Sequence, residues 1–317
     1  MNVSPKVTVG IVTFNRSKCL KILLAKLMKM KNITELIIVD NNSNDNTVSF
    51  LKKVGNFSDI NYDQTNTAIL ENGMILRIYP STINIGGSGG FRQLVKLFLK
   101  FPNEYLWLMD DDVLPEMDCL NQLLSGMDTD TKVCVPNRTD QSFKDKACIY
   151  IDLKNPFKFS ISRRKKYIEN VNDYQYIYIY DFPFEGPLIK GSIISEVGMP
   201  DSQYFIICDD TDYAYRLGKH TKMKFIPKAT LHRQLANKKG DKTLDWKDYY
   251  SLRNDIFFIK KYGQNFWVRN FSPVISWLFW MTVSIVKKRW GNLKIINRAF
   301  HDGEKGIRGK TVSPGDM

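Results

Sequence analysis

Cysteine and histidine are scarce in this sequence, and their spacing excludes several kinds of site. The 317 residues include five cysteines, none of them in a Cys-x-x-Cys pair, and three histidines. A structural zinc site needs closely spaced Cys or His ligands, and a disulfide-bonded scaffold needs an even framework of cysteines. The sequence therefore predicts free thiols in a cytosolic protein.

Long apolar segments are lacking too. Residues 1–6 do not contain the apolar core of an export signal, so we do not expect export. The uncharged segment 271–286 is shorter than the roughly 20 residues that a spanning helix needs, and it contains Pro273. Because Lys287, Lys288 and Arg289 follow directly, two interpretations stay open: a buried core helix, or an aromatic-rich helix in the membrane interface.

Helix-turn-helix, zinc-finger and RNA-recognition signatures are also missing, although the charge would suit nucleic acid. The formal net charge of +13 favours an anionic partner of some kind, such as a phosphorylated substrate or an anionic membrane leaflet. We therefore do not expect nucleic acid as a partner. With 43% hydrophobic and 25% charged residues, the chain is typical of an ordered globular protein of one large domain or two.

Strand-like and helix-like segments alternate over the first 230 residues or so, which predicts an α/β fold with a parallel sheet. The runs 7–13 and 36–40 are rich in β-branched residues, and the leucines between them recur at helical spacing. This is a strand–helix–strand unit. The polar run 41–45 follows its second strand, at the end where ligands bind in open α/β sheets.

A glycine-rich segment, Asn-Ile-Gly-Gly-Ser-Gly-Gly-Phe at residues 84–91, precedes another predicted helix. A loop at a helix N-terminus can bind phosphate or sugar hydroxyls through backbone N–H groups. The spacing matches neither a P-loop nor Gly-x-Gly-x-x-Gly. A tight turn without a ligand therefore explains the segment equally well.

Two acidic clusters follow apolar runs. Asp110, Asp111 and Asp112 end a predicted strand. Adjacent carboxylates repel one another, and a bound divalent cation is the usual compensation. We therefore favour a cation site over a solvated acidic turn. Asp209 and Asp210 begin a predicted helix, so each is either a helix cap or a general base. The residues alone leave that choice open.

In this order the motifs resemble glycosyltransferase family 2. The matching segments are residues 12–16, 39–43, 109–112 and 209–216, within a stretch of about residues 6 to 235. The resemblance implies an α/β, A-type glycosyltransferase (GT-A) fold, with a mixed, mostly parallel central sheet flanked by helices. It also implies a GT-A domain over residues 1–240 and a helical extension over residues 241–317 that packs on it, with a possible membrane-interface contact.

Within the family, the segments 84–91, 14–16 and 208–213 and a later histidine are similar to those of galactofuranosyltransferases. Rhamnosyltransferases of the family have related loops. The expected donor is therefore UDP-galactofuranose, with dTDP-rhamnose or a UDP-hexopyranose as alternatives. The chain is shorter than the polymerising members, which implies the addition of a single sugar.

Carried over residue by residue, the resemblance implies a set of site residues. The expected nucleotide-sugar contacts are Thr13, Phe14, Asn15, Arg16, Asp40, Asn84, Gly87, Ser88, Gly89, Gly90, Asp110 and Asp111. The expected ligands of Mn²⁺ or Mg²⁺ are Asp110, Asp112 and His232. The expected catalytic pair is Asp209 and Asp210, with Asp210 as the general base.

The implied reaction is an inverting transfer to a hydroxyl of a growing, lipid-linked bacterial surface glycan, such as an O-antigen or a capsule. One general base with direct displacement gives inversion, and the cation stabilises the departing diphosphate. We expect a cytoplasmic protein at the inner face of the plasma membrane, with the donor, the acceptor and an anionic leaflet as partners. A non-catalytic sugar-nucleotide sensor is disfavoured because the acidic clusters on the donor side and on the acceptor side are both intact.

Overall fold

The computed structural model describes residues 4–140, 143–235 and 243–316. The strands are β1 Val7–Thr13, β2 Ile33–Asp40, β3 Asn66–Ile69, β4 Ile75–Pro80, β5 Tyr105–Asp110, β6 Val113–Pro115, β7 Thr131–Thr139, β8 Ala147–Ile151, β9 Lys165–Ile168, β10 Ile177–Tyr178, β11 Leu188–Lys190 and β12 Lys222–Arg233. The helices are α1 Ser17–Leu27, α2 Thr47–Val54, α3 Gly86–Lys100, α4 Cys119–Ser125, α5 Ile161–Arg164, α6 Gly191–Val197, α7 Asp209–Leu217, α8 Trp246–Tyr262, α9 Phe266–Val286 and α10 Gly291–Lys305. The predicted domain boundary between residues 240 and 241 lies outside the described residues.

The central sheet has the strand order β10-β12-β7-β11-β5-β1-β2-β4-β3, and β6 pairs with β12. The strands β5, β1, β2 and β4 run parallel to one another, as do β7 and β12. The strands β3, β10 and β11 run antiparallel to their neighbours. This central, mostly parallel sheet with flanking helices confirms the predicted α/β class.

The register of the sheet brings three strand ends together. Thr13 of β1 lies beside Asp40 of β2, and Val12 lies beside Asp110 of β5. All of β1 is buried, because its β-branched side chains fill both faces of the sheet. The polar residues after β1, β2 and β5 therefore meet at one edge, as the sequence predicted.

Helices cover both faces of this sheet. The leucines of α1 are fully buried on one face, and Leu94 of α3 is buried on the other. Gly10 of β1 permits the second contact, since a Cβ at that position would overlap the Leu94 side chain.

The glycine-rich segment is not a loop, which corrects the expectation from the sequence. Helix α3 begins at Gly86, so Gly87 to Gly90 form its first turns. A Cβ on Gly89 would lie 2.8 Å from Ile85, and one on Gly90 would lie 2.6 Å from Val12. Small residues are needed there because the helix approaches β1 closely.

The C-terminal helices pack together and on the sheet domain. Helix α8 begins with a capping box formed by Asp245 and Asp248. It contacts α5, α9 and α10. None of the helices in residues 4–140, 143–235 and 243–316 combines the length and the apolar composition that a membrane span requires.

Candidate active site

One buried carboxylate ties the loop after β1 to the end of β5. An oxygen of Asp111 accepts hydrogen bonds from the Thr13 hydroxyl (2.7 Å) and the Phe14 N–H (3.2 Å). The other oxygen accepts a hydrogen bond from Arg16 at 3.0 Å. Asp111, expected to contact the nucleotide sugar, is therefore engaged within the protein and positions the loop that carries Phe14 and Arg16.

Arg16 partly neutralises the acidic cluster, because its guanidinium also lies 2.6 Å from Asp112. Burial raises the pKa of Asp111 and Asp112, and Arg16 opposes that rise. The Arg16 side chain and the neighbouring Phe14 are each 43% exposed. Both side chains are thus within reach of a ligand, the first for a phosphate and the second for stacking against a ring.

The end of β2 supplies a second buried carboxylate. Asp40 is fully buried, and one of its oxygens accepts a hydrogen bond from the Ser43 N–H at 3.1 Å. Its other oxygen has no hydrogen-bond partner in the described part of the chain, and burial raises the pKa of the carboxyl. Asn15 donates its N–H to Ser43 and accepts one from Asn44, which joins the two loops. A buried oxygen without a partner is suited to a ligand hydroxyl or N–H.

Two asparagines hold the start of α3. The Asn41 side chain accepts a hydrogen bond from the Ile85 N–H (2.8 Å), and Asn84 accepts one from the Gly86 N–H (2.9 Å). Gly86 has a φ of +75°, and a Cβ there would overlap the carbonyl oxygen of Phe205. The close approach brings the first turn of α3 against the segment that precedes α7.

The four predicted sugar contacts at the start of α3 differ in their surroundings. The space beside Gly87 is open, whereas Gly89 and Gly90 are buried by their contacts within the protein. Ser88 is buried, and its hydroxyl has no hydrogen-bond partner in the described part of the chain. Gly87 is therefore the member of this group with room for a ligand.

Asp110 is a carboxylate in need of a counter-charge. Burial raises its pKa well above the usual range, and Glu185, Asp112 and Asp111 raise it further. Its side chain makes no hydrogen bond or ion pair to another described residue. Carboxylate oxygens are the ligands that Mg²⁺ and Mn²⁺ prefer, and a divalent cation would relieve this repulsion. The donors Asp110 and Asp112 thus fit the predicted cation.

His232 is not brought to these two carboxylates. Its Nε2 lies 2.6 Å from a carboxylate oxygen of Glu116, and this exposed contact lies beside the β6–β12 pair. Across residues 4–140, 143–235 and 243–316, no three His, Cys, Asp or Glu side chains are arranged to hold a metal ion. The predicted set of Asp110, Asp112 and His232 is therefore not assembled in this conformation.

Asp209 and Asp210 occupy the first turn of α7. Burial raises the pKa of both, Asp210 raises that of Asp209, and Asp181 raises that of Asp210. Lys165 lies 2.6 Å from Asp181 and opposes the rise at Asp210. Carboxyls with raised pKa values can accept a proton near neutral pH, as a general base must.

Asp212 has a structural role, unlike Asp209 and Asp210. It is fully buried, and the i,i+4 pair with Arg216 that the sequence predicts is present at 2.9 Å. Lys261 and the Tyr262 hydroxyl each donate a hydrogen bond to it at 2.7 Å. Asp212 therefore holds α7 against α8.

The model of glycosyl transferase family 2 matches residues 8–184. This segment is more than half of the chain, and it includes the loops after β1 and β2, the start of α3 and the acidic end of β5. The chain belongs to glycosyl transferase family 2. It is a glycosyltransferase, as the sequence predicted.

Solved structures of other glycosyltransferases share the fold at low identity. The mannosyltransferase PcManGT from Pyrobaculum calidifontis, in complex with GDP-Man and Mn²⁺, has a TM-score of 0.55 at 13% identity, with 96% of this chain and 89% of that chain covered. GalNAc-T7 with UDP, GalNAc and Mn²⁺ has a TM-score of 0.59 at 12% identity, with 97% and 57% covered. S. aureus TarS 1-349 in complex with UDP has a TM-score of 0.51 at 12% identity, with 86% and 70% covered. A search of the curated proteins found no match.

Sequence reasoning missed how this glycosyltransferase holds its second acidic cluster. The backbone is left-handed just before α7, with φ values of +66° at Phe205, +65° at Ile207 and +72° at Cys208. Such angles are unfavourable for residues with side chains, above all for β-branched Ile207. The strain persists only because neighbouring groups hold the turn.

Helix α8 supplies those groups. The side-chain amide of fully buried Asn254 donates to three carbonyl oxygens of the turn at 2.7–3.0 Å, those of Tyr204, Ile206 and Ile207. Buried Arg253 donates to the Tyr204 carbonyl as well, at 3.1 Å. Two adjacent polar residues in an aromatic helix are the signal that could have indicated this role.

Glu185 was also missed. It is held by Arg233 at 2.8 Å and by Arg138 at 3.2 Å, and its charge raises the pKa of Asp110 and Asp112. It lies in the Glu-Gly-Pro turn before β11, far in sequence from the carboxylates that it influences. Only the arrangement of the strands brings this fourth carboxylate to Asp110, Asp111 and Asp112.

Proposed function

We propose that this enzyme is an inverting, divalent-metal-dependent transferase that moves galactofuranose from UDP-galactofuranose to a hydroxyl of a lipid-linked surface glycan. The observation that carries the proposal is the buried pair Asp209–Asp210. Its pKa values are raised, and it follows a turn whose Phe205 carbonyl accepts a hydrogen bond from the Ser88 N–H of α3. The choice of sugar rests on the similarity of residues 14–16, 84–91 and 208–213 to galactofuranosyltransferase motifs. We place the reaction at the inner face of the plasma membrane.

The donor nucleotide is proposed to bind where β1 and β2 end. The half-exposed Phe14 ring offers a stacking surface, and the free oxygen of Asp40 is an acceptor for a donor group of the nucleoside. Arg16 lies beside the acidic cluster, where it contacts a phosphate oxygen. A divalent cation held by Asp110 and Asp112 supplies Lewis-acid stabilisation of the leaving diphosphate when bound.

Asp210 is proposed as the general base, and Asp209 as its partner. The acceptor oxygen forms a bond to the anomeric carbon while its proton passes to the Asp210 carboxylate. The bond from that carbon to the diphosphate oxygen breaks, and UDP leaves with the electron pair. A single displacement of this kind inverts the anomeric configuration.

The test is Asp210→Asn, measured with purified enzyme, Mn²⁺ and a panel of UDP-galactofuranose, UDP-hexopyranoses and dTDP-rhamnose. We expect kcat to fall about 10²–10⁴-fold while UDP affinity stays within about twofold. Asp59→Asn is the matched control, because Asp59 is an exposed carboxylate away from the site. Unchanged turnover in Asp210→Asn would remove the general-base role, and preference for another donor would replace galactofuranose.

Metal dependence has its own test. A chelator should abolish transfer, and either Mn²⁺ or Mg²⁺ should restore it. Asp112→Asn should raise the metal concentration needed for half-maximal activity, since it removes a negative ligand. Full activity in excess chelator would exclude the cation from the reaction.

A further inference from the structure

The outer face of α9 is defined by Trp267, Phe271, Val274, Leu278 and Ile285. It is apolar, and all of these side chains are exposed except the half-buried Val274. Trp267 is 60% exposed, Leu278 51% and Ile285 46%. The first four positions are separated by four, three and four residues, and Ile285 follows Leu278 after seven, so all five lie on one side of the helix. Phe266 and Val286, at its two ends, are 68% and 74% exposed. A soluble monomer rarely exposes an apolar band of this length without a partner.

The buried side of α9 carries three serines beside Val268 and Pro273. Ser272, Ser276 and Ser284 are buried. Ser272 donates a hydrogen bond to the Pro156 carbonyl at 2.7 Å and accepts one from Arg164 at 2.8 Å. A helix on the surface of a water-soluble protein turns its large apolar side chains inward instead. Serines at the protein contact and large apolar side chains outside are typical of a helix that faces lipid.

Basic residues lie at one end and on one flank of this apolar face. No Asp or Glu occurs in the sequence between Asp255 and Asp302. Lys287 and Lys288 are exposed directly after α9. The Arg163 guanidinium lies 4.9 Å from the centre of the Phe279 ring, on the flank of the helix. The face is therefore complementary to an apolar layer with a negatively charged surface.

We infer that the outer face of α9 docks this enzyme on an anionic phospholipid bilayer, with the helix lying in the plane of the interface. Its 21 residues give a length of about 30 Å, and the apolar side chains of the outer face enter the bilayer along that line. Lys287 and Lys288 contact the lipid phosphates at one end. Helix α9 packs on α8, which holds the turn before Asp209 and Asp210 through Asn254. The inference deepens the proposed function because docking presents the acceptor side of the site to a lipid-linked substrate.

The alternative to a bilayer is that a second copy of the chain covers the outer face of α9. A twofold interface would place the same basic groups of both copies near each other, and segment 256–301 provides no acidic partner for them. A bilayer with anionic lipids supplies the missing charge along with the apolar layer. The charge distribution therefore favours the bilayer.

The experiment is co-sedimentation of the full chain with vesicles of phosphatidylcholine and phosphatidylglycerol, and with phosphatidylcholine vesicles alone. The face variant carries Trp267→Ser, Phe271→Ser and Leu278→Ser, and the charge variant carries Lys287→Ala and Lys288→Ala. The matched control carries Ile22→Ser and Ile69→Ser, since these exposed apolar residues lie on α1 and β3.

We expect the wild type and the matched control to bind the anionic vesicles. The face variant should bind about a hundredfold more weakly, and the charge variant roughly fivefold more weakly per lysine at low salt. Undiminished vesicle binding by the face variant would overturn the inference. So would a wild-type dimer that the face variant dissociates without any vesicle binding. UDP affinity, measured for every variant, should not change. If the wild type does not bind UDP, the proposed function is contradicted, but the docking inference is still decided by the vesicle experiment.

Discussion

Asn254 lies in α8, yet we predict that its replacement impairs catalysis by Asp209 and Asp210. Its amide group donates to three carbonyl oxygens of the strained turn, at 2.7–3.0 Å. A buried hydrogen bond contributes about 1 kcal/mol net, and carbonyl groups left without partners add to the cost. Asn254→Ala should therefore lower the free energy of unfolding by about 2–4 kcal/mol.

The catalytic effect follows from the strain in the turn. Left-handed φ values at residues such as Ile207 cost about 1–3 kcal/mol each and persist only while the surroundings enforce them. When Asn254 is removed, the turn relaxes, and the carboxylates that follow it move. A misplacement worth about 1.4–2.8 kcal/mol in the transition state lowers kcat about 10–100-fold.

The assay compares kcat, KM and thermal unfolding of Asn254→Ala with those of Asn66→Ala. Asn66 is a matched control because its buried amide also donates to three carbonyl oxygens, at 2.9–3.4 Å, but in β3 on the far edge of the sheet. Both variants should lose similar stability, and only Asn254→Ala should lose kcat at a temperature where both are folded. Equal kcat values in the two folded variants would refute the reasoning.

Four further outcomes test other parts of the site and the packing of the sheet. The pKa of Asp210 is raised to about 6 by burial and Asp181, so its base form is lost as pH falls through that value, and kcat should decline tenfold per pH unit below it. Lys165→Met should move the decline of kcat to higher pH, because Lys165 lowers the pKa of Asp210. A decline at the same pH as in the wild type contradicts the assignment of Asp210 as the general base. Asp111→Asn should weaken UDP binding about 5–100-fold by calorimetry, since it releases Arg16 and the loop after β1, and unchanged affinity would exclude this positioning role. Gly10→Val should lower stability by about 1–3 kcal/mol in thermal unfolding, because its side chain overlaps Leu94.

Local patterns in the sequence predicted the sheet and the edge at which the site lies. The β-branched runs before Thr13 and Asp40, and the apolar run before Asp110, have the composition of buried strands. Parallel strands place their carboxyl ends together, so the meeting of these three residues followed from the order of elements. The start of α3 was misplaced because four nearby glycines usually indicate a loop, whereas here they permit close packing on β1.

The sequence did not predict which charged groups pair with one another. Whether His232 met Asp112 or Glu116 depended on the register of β6 and β12, and the structure gives Glu116. Glu185 reaches the acidic cluster through the order of β5, β11 and β7, since no local pattern relates it to Asp110. Contacts between residues far apart in the chain depend on how whole elements pack, which periodicity does not encode.

By itself the sequence determined the α/β class, the family and the edge of the sheet that carries the site, because these depend on the order and period of short segments. Tertiary structure alone decided which carboxylates are already engaged, such as Asp111, and which have a free oxygen, such as Asp40. It also decided that α9 turns Ser272 inward and Trp267 outward, a choice that the composition of the helix left open. The physical reason is that an apolar segment is suited to a core or to lipid alike, and only its packing against the rest of the chain shows which side is covered.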